Sequence, residues 1–304
     1  MINGFIIIDK PAGITSHDVV SRVRRILGTR KVGHTGTLDP FATGVLPVAV
    51  NDGTKAIPFL DEGFKCYETI MRLGVVTDTL DITGKVQRQA DCSMISCTHL
   101  EAALTHFTGH ISQIPPMFSA IKQNGQPLYK LARLGQEVER SARRVEIKSL
   151  ELLSFNPPLA TLRINCSRGT YIRSLADDIG TELGCGATLQ ELRRISSGTF
   201  DIASAVSLEG LEETCLQGSP ESLIVSPMAA LTHLADIPLS DVGLAKLHYG
   251  RSPEWKETLL TVSLSCTAPV PARLSHAGVL VAVAILMPGG ADSSARIVLK
   301  RVFV

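Results

Sequence analysis

The run Gly33-His34-Thr35-Gly36-Thr37-Leu38-Asp39-Pro40-Phe41-Ala42-Thr43-Gly44-Val45-Leu46-Pro47 constrains this chain more than any other segment. It sets one carboxylate, Asp39, in a loop dense in Gly, Thr and Pro, directly ahead of the strand-like run Val45 to Val50. Glycine lets a backbone approach a ligand closely, and Pro40 holds Asp39 in an extended conformation that a helix cannot use. A loop built this way presents a side chain and does not merely join two elements. A structural turn in which Asp39 caps backbone amides is the competing reading. A nucleotide loop fits worse, because the Gly-Lys-Ser/Thr ending is absent.

Around this loop the hydrophobic pattern is mixed. Phe5 to Ile8 reads as a strand closed by Asp9. Thr15 to Leu27 reads as a helix, with a Thr15-x-x-Asp18 capping box, an apolar face of Val19, Val20, Val23, Ile26 and Leu27, and Gly28 as its stop. Tyr67, Thr69, Met71 and Leu73 share one side of a strand, and Ala160, Leu162, Ile164 and Cys166 alternate in another. A second helix is predicted from a Thr98-x-x-Glu101 box to Gly109, and a third carries Ile172, Leu175, Ala176, Ile179 and Leu183 before Gly184. No regular βαβ rhythm connects these elements, so the predicted fold is α+β with an antiparallel or mixed sheet. Residues 205–234 read as short helices broken at Gly218-Ser219-Pro220. Beyond residue 236 short strands are predicted over Leu259 to Cys266, Gly278 to Met287 and Arg296 to Val304. The expected division is therefore 1–235 and a small β-rich part, 236–304.

Of the 304 residues, 44% are hydrophobic and 19% charged, which marks a folded globular chain and argues against disorder. The longest apolar stretch, Gly278 to Met287, is too short to span a membrane, and the N-terminus lacks the basic start and cleavage site of a signal peptide. The cytoplasm is the expected compartment. Seven cysteines without a CxxC pair give neither a zinc site nor a disulfide framework, and most of them read as small buried hydrophobes. A net charge of +1 conceals a strong asymmetry. Residues 1–31 hold six Lys/Arg against two acids and 122–148 hold seven against three, whereas no Lys or Arg lies between Arg194 and Lys246. One phosphate-facing side and one acidic side would produce this pattern, as would ordinary solvated faces.

The loop from Gly33 to Pro47 resembles the signature of the TruB family of pseudouridine synthases. Gly4 to Gly13 resembles the family's N-terminal strand and Lys-Pro turn. Further matches, in order, are Tyr67, Thr77-Asp78-Thr79, Ile114-Pro115-Pro116 with Ser119-Ala120, Gly169-Thr170-Tyr171-Ile172-Arg173, and Leu192-Arg193-Arg194. By position, the β-rich end is similar to the family's PUA-type RNA-binding domain. The resemblance implies isomerisation of the T-loop uridine at position 55 of tRNA, by a monomer needing neither cofactor nor metal. It makes Asp39 the catalytic carboxylate and Arg173 its partner. It gives Tyr67 the place stacked on the uracil, Leu192 the pocket wall, and His34 the space vacated by the flipped nucleotide. Lys10 and Tyr171 are implied as structural or phosphate-proximal.

Two positions depart from the family pattern. Phe118 stands where Tyr is frequent in the Pro-Pro-x-Tyr-Ser-Ala segment, and Val76 stands where Arg is frequent before Thr77-Asp78. Two rival functions stay in view. A non-catalytic RNA-binding protein on the same scaffold would require a decayed Asp39 constellation. A glycoside or nucleoside hydrolase would require paired carboxylates, and the signature loop supplies one.

Overall fold

The computed structural model describes residues 2–61, 63–123, 125–261, 264–289 and 295–304. Strand β1 (Gly4–Lys10) is apolar without alternation because both its faces are covered. Ile6 and Ile8 enter the main core with Val19, Val20 and Val23 of helix α1 (Ser16–Leu27). Phe5 and Ile7 enter a second core with Leu231, Leu280 and Val283. Helix α1 begins as the sequence predicts: the Thr15 hydroxyl accepts from the Asp18 backbone N–H, and the Asp18 carboxylate accepts from Thr15 N–H at 2.9 Å. Gly28 ends it in the left-handed conformation, φ 61°.

The chain continues through β2 (Val32–His34), β3 (Thr43–Val50), β4 (Phe64–Leu73), the hairpin β5 (Val75–Thr77) and β6 (Val86–Gln89), and helix α2 (Cys97–His106). Then come β7 (Gly109–Gln113), the short helix α3 (Leu128–Arg133), β8 (Arg143–Asn156), β9 (Leu159–Ser167), α4 (Ile172–Glu182) and β10 (Ala187–Ser197). The central sheet runs β1-β3-β10-β4-β9-β8-β7, with β2 added to β3. Its pairs are antiparallel except for β3 with β10, which join in parallel only at Thr43↔Arg193 and Gly44↔Arg194. The predicted mixed sheet is present. Gly44 makes the parallel junction possible: its φ is 98°, and a Cβ there would sit 2.2 Å from the Arg194 carbonyl oxygen. Before Thr43 the signature loop leaves the sheet while β10 stays paired with β4, and the cleft between them holds the site.

Helix α5 (Leu208–Leu216) leads to a second sheet of β11 (Ala235–Pro238), β12 (Val270–His276), β13 (Val279–Met287) and β14 (Arg296–Val302), in that order. Helix α6 (Asp241–His248) starts at the Ser240 cap. Three sequence expectations need correction. Helix α2 is capped by Ser96, whose hydroxyl accepts from His99 N–H at 3.2 Å, not by Thr98, which lies inside the helix and contacts Ser96. The strand expected at Leu259 to Cys266 is absent among the described residues, Val262 and Ser263 lying outside them. There the apolar alternation has no sheet partner, and Leu259 and Leu264 point to solvent. Of the cysteines only Cys166 and Cys185 are buried; Cys97 is exposed and the other four are intermediate.

Candidate active site

The residues on both sides of Asp39 are tied down. Leu38 N–H donates to Ser16 Oγ, in the first turn of α1, at 2.9 Å. The Pro40 carbonyl accepts from Gly13 N–H at 2.8 Å and from Lys10 Nζ at 3.2 Å. Lys10 also donates to the carbonyls of Pro11 and Ile14, each at 2.8 Å. It is fully buried, and desolvation pulls its pKa down to about 8, so at neutral pH it remains an ammonium with all three donors used. Lys10 therefore clamps the Lys-Pro turn to the loop from beneath the site.

Arg173 arrives on the first turn of α4. That helix starts at Tyr171, whose N–H donates to the Gln113 side chain at 2.8 Å and whose carbonyl accepts from it at 3.0 Å. The guanidinium is 3% exposed and turns its fork to Asp39, with Nη2 donating to Oδ1 at 3.0 Å and Nε lying 2.9 Å from Oδ2. It also donates to the carbonyls of Thr79 (2.9 Å) and Phe118 (2.8 Å), so three hydrogen bonds and the ion pair fix its plane. A third of the Asp39 side chain, 33%, stays open to the cavity. Burial pushes the Asp39 carboxyl above the usual carboxylate range, and Arg173 pulls it back.

A second carboxylate, Asp81, lies 3.6 Å from Arg173 Nη1. The sequence reading did not single it out. Its Oδ1 accepts from Thr79 Oγ1 at 2.9 Å and from Thr83 N–H at 3.0 Å, a clasp for which Thr79-x-Asp81-x-Thr83 is the legible signal. Asp81 is 4% exposed. It raises the Asp39 pKa as a neighbouring like charge, and its bonded, buried oxygens are unsuited to activate water. A paired-carboxylate hydrolase is disfavoured by this arrangement.

The cleft is a cavity of about 700 Å³, with Asp39, Tyr67, Leu192, His34, Tyr171 and Arg173 in its walls. Tyr67 keeps the phase of Thr69, Met71 and Leu73 yet reaches the cavity, and its burial favours the neutral phenol. His34 is held neutral first by burial and then by the charge of Arg194. Burial likewise raises the Tyr171 phenol. Six of the seven site residues expected from sequence thus meet here, and Lys10 lies below them. Arg194, which was not among those seven, also lines the cavity. It shares a strand face with Leu192, so period-two reading of β10 could have found it, while Arg193 points to the other face and pairs with Asp9 at 2.7 Å. The two departures leave this set intact. Phe118 contributes its carbonyl, and Val76 faces Arg88 across the β5–β6 hairpin, so a guanidinium stands on the neighbouring strand.

The family model for the TruB family pseudouridylate synthase N-terminal domain matches residues 24–172, and that for the tRNA pseudouridylate synthase B C-terminal domain matches 173–233. The chain is 50% identical over 303 residues to tRNA pseudouridine synthase B of Geotalea uraniireducens, covering 99% of this chain and 98% of that protein. It is also 50% identical over 288 residues to the Geobacter sulfurreducens protein of the same name, covering 95% of each. A chain in the crystal structure of a Cbf5-Nop10-Gar1 complex superposes with a TM-score of 0.75 at 26% identity, covering 99% of this chain and 84% of that one. Two family models that meet at Arg173, together with relatives matched along nearly their whole length, place the chain in the TruB family of pseudouridylate synthases.

Proposed function

We propose that this chain isomerises the T-loop uridine at position 55 of tRNA to pseudouridine, with Asp39 as the catalytic carboxylate. The observation that carries this reading is the Arg173 fork holding Asp39 at the wall of a cavity shared with Tyr67 and Leu192. The reaction breaks the N1–C1′ bond, turns the uracil, joins C5 to C1′ and leaves a proton on N1 in place of the one lost from C5. No redox change or net hydrolysis occurs. Addition to C1′, addition to C6 and removal of a 2′ proton all require an ionised, fixed carboxylate close to the nucleotide, and Arg173 supplies both conditions. Tyr67 and Leu192 flank the base, His34 fills the space it leaves, and Tyr171 faces the sugar and phosphate. Residues 1–235 act as the catalytic part and 236–304 as a PUA-like RNA-holding part. The protein works as a monomer in the cytoplasm, without cofactor or metal. Among the described residues, no helix is long and apolar enough to cross a membrane.

A purely RNA-binding role is disfavoured because Asp39, Tyr67 and Arg173 are all present and mutually placed. Incubation with an unmodified tRNA transcript, followed by mapping of pseudouridine, separates the readings. Product at position 55 supports the synthase, an abasic site the hydrolase, and binding without product the RNA-binding protein.

The raised Asp39 pKa gives a pH prediction. A carboxylate whose pKa lies above its ordinary 3.8 takes up its proton at higher pH, so the single-turnover rate at saturating RNA should fall on acidification with a midpoint above 3.8. An acid limb at or below that value would mean that burial does not govern this group.

The RNA must be held while its target base leaves the stack, at a cost of a few kcal/mol. Arg143 and Arg144 are exposed at the start of β8, and Arg143 is near enough to act on the Tyr171 phenol. Replacing both with Ala should weaken tRNA binding and flatten its salt dependence by roughly one to two units of slope. The single-turnover rate at saturation should change much less. An unchanged slope with a collapsed rate would assign these residues to shaping the site.

A further inference from the structure

Arg194 ties the loop that carries Asp39 to the strand that carries Tyr67. Its backbone stands where three strands meet, opposite Tyr67 of β4 and paired in parallel with Gly44 of β3. Its side chain is 1% exposed and spans the base of the signature loop. Nε donates to the Val45 carbonyl at 2.7 Å, and Nη2 donates to the Gly36 carbonyl at 3.2 Å. Gly36 lies three residues before Asp39 and Val45 six after it, so one guanidinium holds both legs of the loop.

The same group reaches the phenol. Directly opposed residues of an antiparallel pair share a face of the sheet, with Cβ atoms about 4.5–5.5 Å apart. Burial raises the Tyr67 pKa, and the charge of Arg194 and a hydrogen bond from it oppose that rise. A phenol oxygen that accepts from a guanidinium leaves its own O–H free to donate elsewhere. Among the described residues no carboxylate pairs with Arg194. A neutral amide could bridge two carbonyls, whereas a buried guanidinium without an acid beside it carries a large desolvation cost. What the charged fork adds over such a bridge is the third contact, a fixed orientation of the Tyr67 hydroxyl.

We propose that Arg194 is a positioning residue for the isomerisation, one that fixes the Tyr67 hydroxyl relative to Asp39 at the reacting nucleotide. This assignment rests on the reading of the site as one that isomerises a uridine of RNA.

The test is a double-mutant cycle on the full chain with Arg194→Lys and Tyr67→Phe. Single-turnover rate at saturating tRNA transcript, tRNA affinity and melting are measured for each variant. Pseudouridine formation by the parent is checked first, since its absence would sink the proposed function and not the role of Arg194. Lysine keeps the charge but lacks the fork that joins two carbonyls to a phenol. Arg194→Lys should therefore lose about 10²-fold in rate, with affinity within a few-fold of the parent. Tyr67→Phe, which removes only the hydroxyl, should lose a similar factor. The double variant should be at most a few-fold slower than the slower single one, because the group that Arg194 places is already gone. If Arg194→Lys does not fold, Arg194→Gln, which offers two donors and drops the charge, takes its place in the cycle. Losses that multiply overturn the proposal, as does a parental rate for Tyr67→Phe or for the Arg194 variant. An affinity loss as large as the rate loss in the Arg194 variant overturns it as well, since that marks a general disturbance of the site.

Discussion

Asp39→Asn is expected to lower the single-turnover rate by roughly 10⁴-fold, while tRNA affinity stays within a few-fold. The amide preserves volume and the loop anchors at Leu38 and Pro40 remain, so the site should keep its shape. What disappears is the negative charge that each of the possible routes demands. Asn Oδ1 can still accept from Arg173 Nη2, but its amide group must oppose the Nε–H, turning one attraction into a donor–donor contact. The net change in stability should be small, because the neutral amide also escapes the burial that raises the carboxyl's pKa, and Asp81 remains 3.6 Å from the guanidinium. Affinity should be spared because the proposed hold on the RNA is through phosphates and loop shape, not through this carboxylate. Rapid-quench turnover, equilibrium binding and thermal melting check the three parts. Turnover at the parental rate would remove Asp39 from its role, and a collapse of binding with turnover would show that the substitution had disturbed the site.

The fold was legible wherever one period dominated. Helix α1 announces both ends, through Thr15-x-x-Asp18 and Gly28, and both are realised atom by atom. The alternation in β4 and β9 likewise reads straight through to their buried faces. Legibility failed where local chemistry was degenerate. Ser96 and Thr98 are both competent caps before the same apolar face, and only the placement of His99 N–H selects Ser96. In residues 236–304 no clear period marks the strand at 270–276 or helix α6, whereas the run at 259–266 alternates without forming a strand among its described residues. Alternation states what a strand would bury, not whether a partner edge is available.

The candidate site was legible for residues held in contiguous motifs. Asp39 and Arg173 are 134 positions apart, and no local pattern joins them; the family resemblance did. Asp81 and Arg194 escaped for different reasons. Asp81 looks like an ordinary turn acid until Arg173 is brought against it. Arg194 sits among basic neighbours, and its burial comes from the parallel β3–β10 junction, a long-range pairing at two residue pairs. Carbonyls are the deepest omission. Thr79 and Phe118 hold the guanidinium with backbone oxygens, which any residue could supply.

That backbone cage makes Arg173→Lys and Arg173→Met the more discriminating pair of variants. An ammonium carries the charge but not the planar fork, and it cannot meet two carboxylate oxygens and two carbonyls in one plane. Arg173→Lys should therefore lose about 10²–10³ in rate with modest loss of stability. Arg173→Met leaves Asp39 and both carbonyls without their donor and Asp81 without its counter-charge, and should cost about 3–5 kcal/mol as well as activity. Its pH dependence carries the sign of the argument. The Asp39 pKa is already raised, and removing the guanidinium that lowers it raises it further. A carboxyl with a folded-state pKa above its unfolded 3.8 stabilises the fold when protonated, and that contribution is lost as pH rises through the folded value. The stability deficit of Arg173→Met should consequently shrink as pH falls below neutral and Asp39 takes up its proton, since the neutral group needs no partner. Melting of parent and variant from neutral pH downward measures it. A deficit that stays constant would show that Arg173 acts on the fold through Thr79 and Phe118 alone, and parental turnover by the Lys variant would refute the fork.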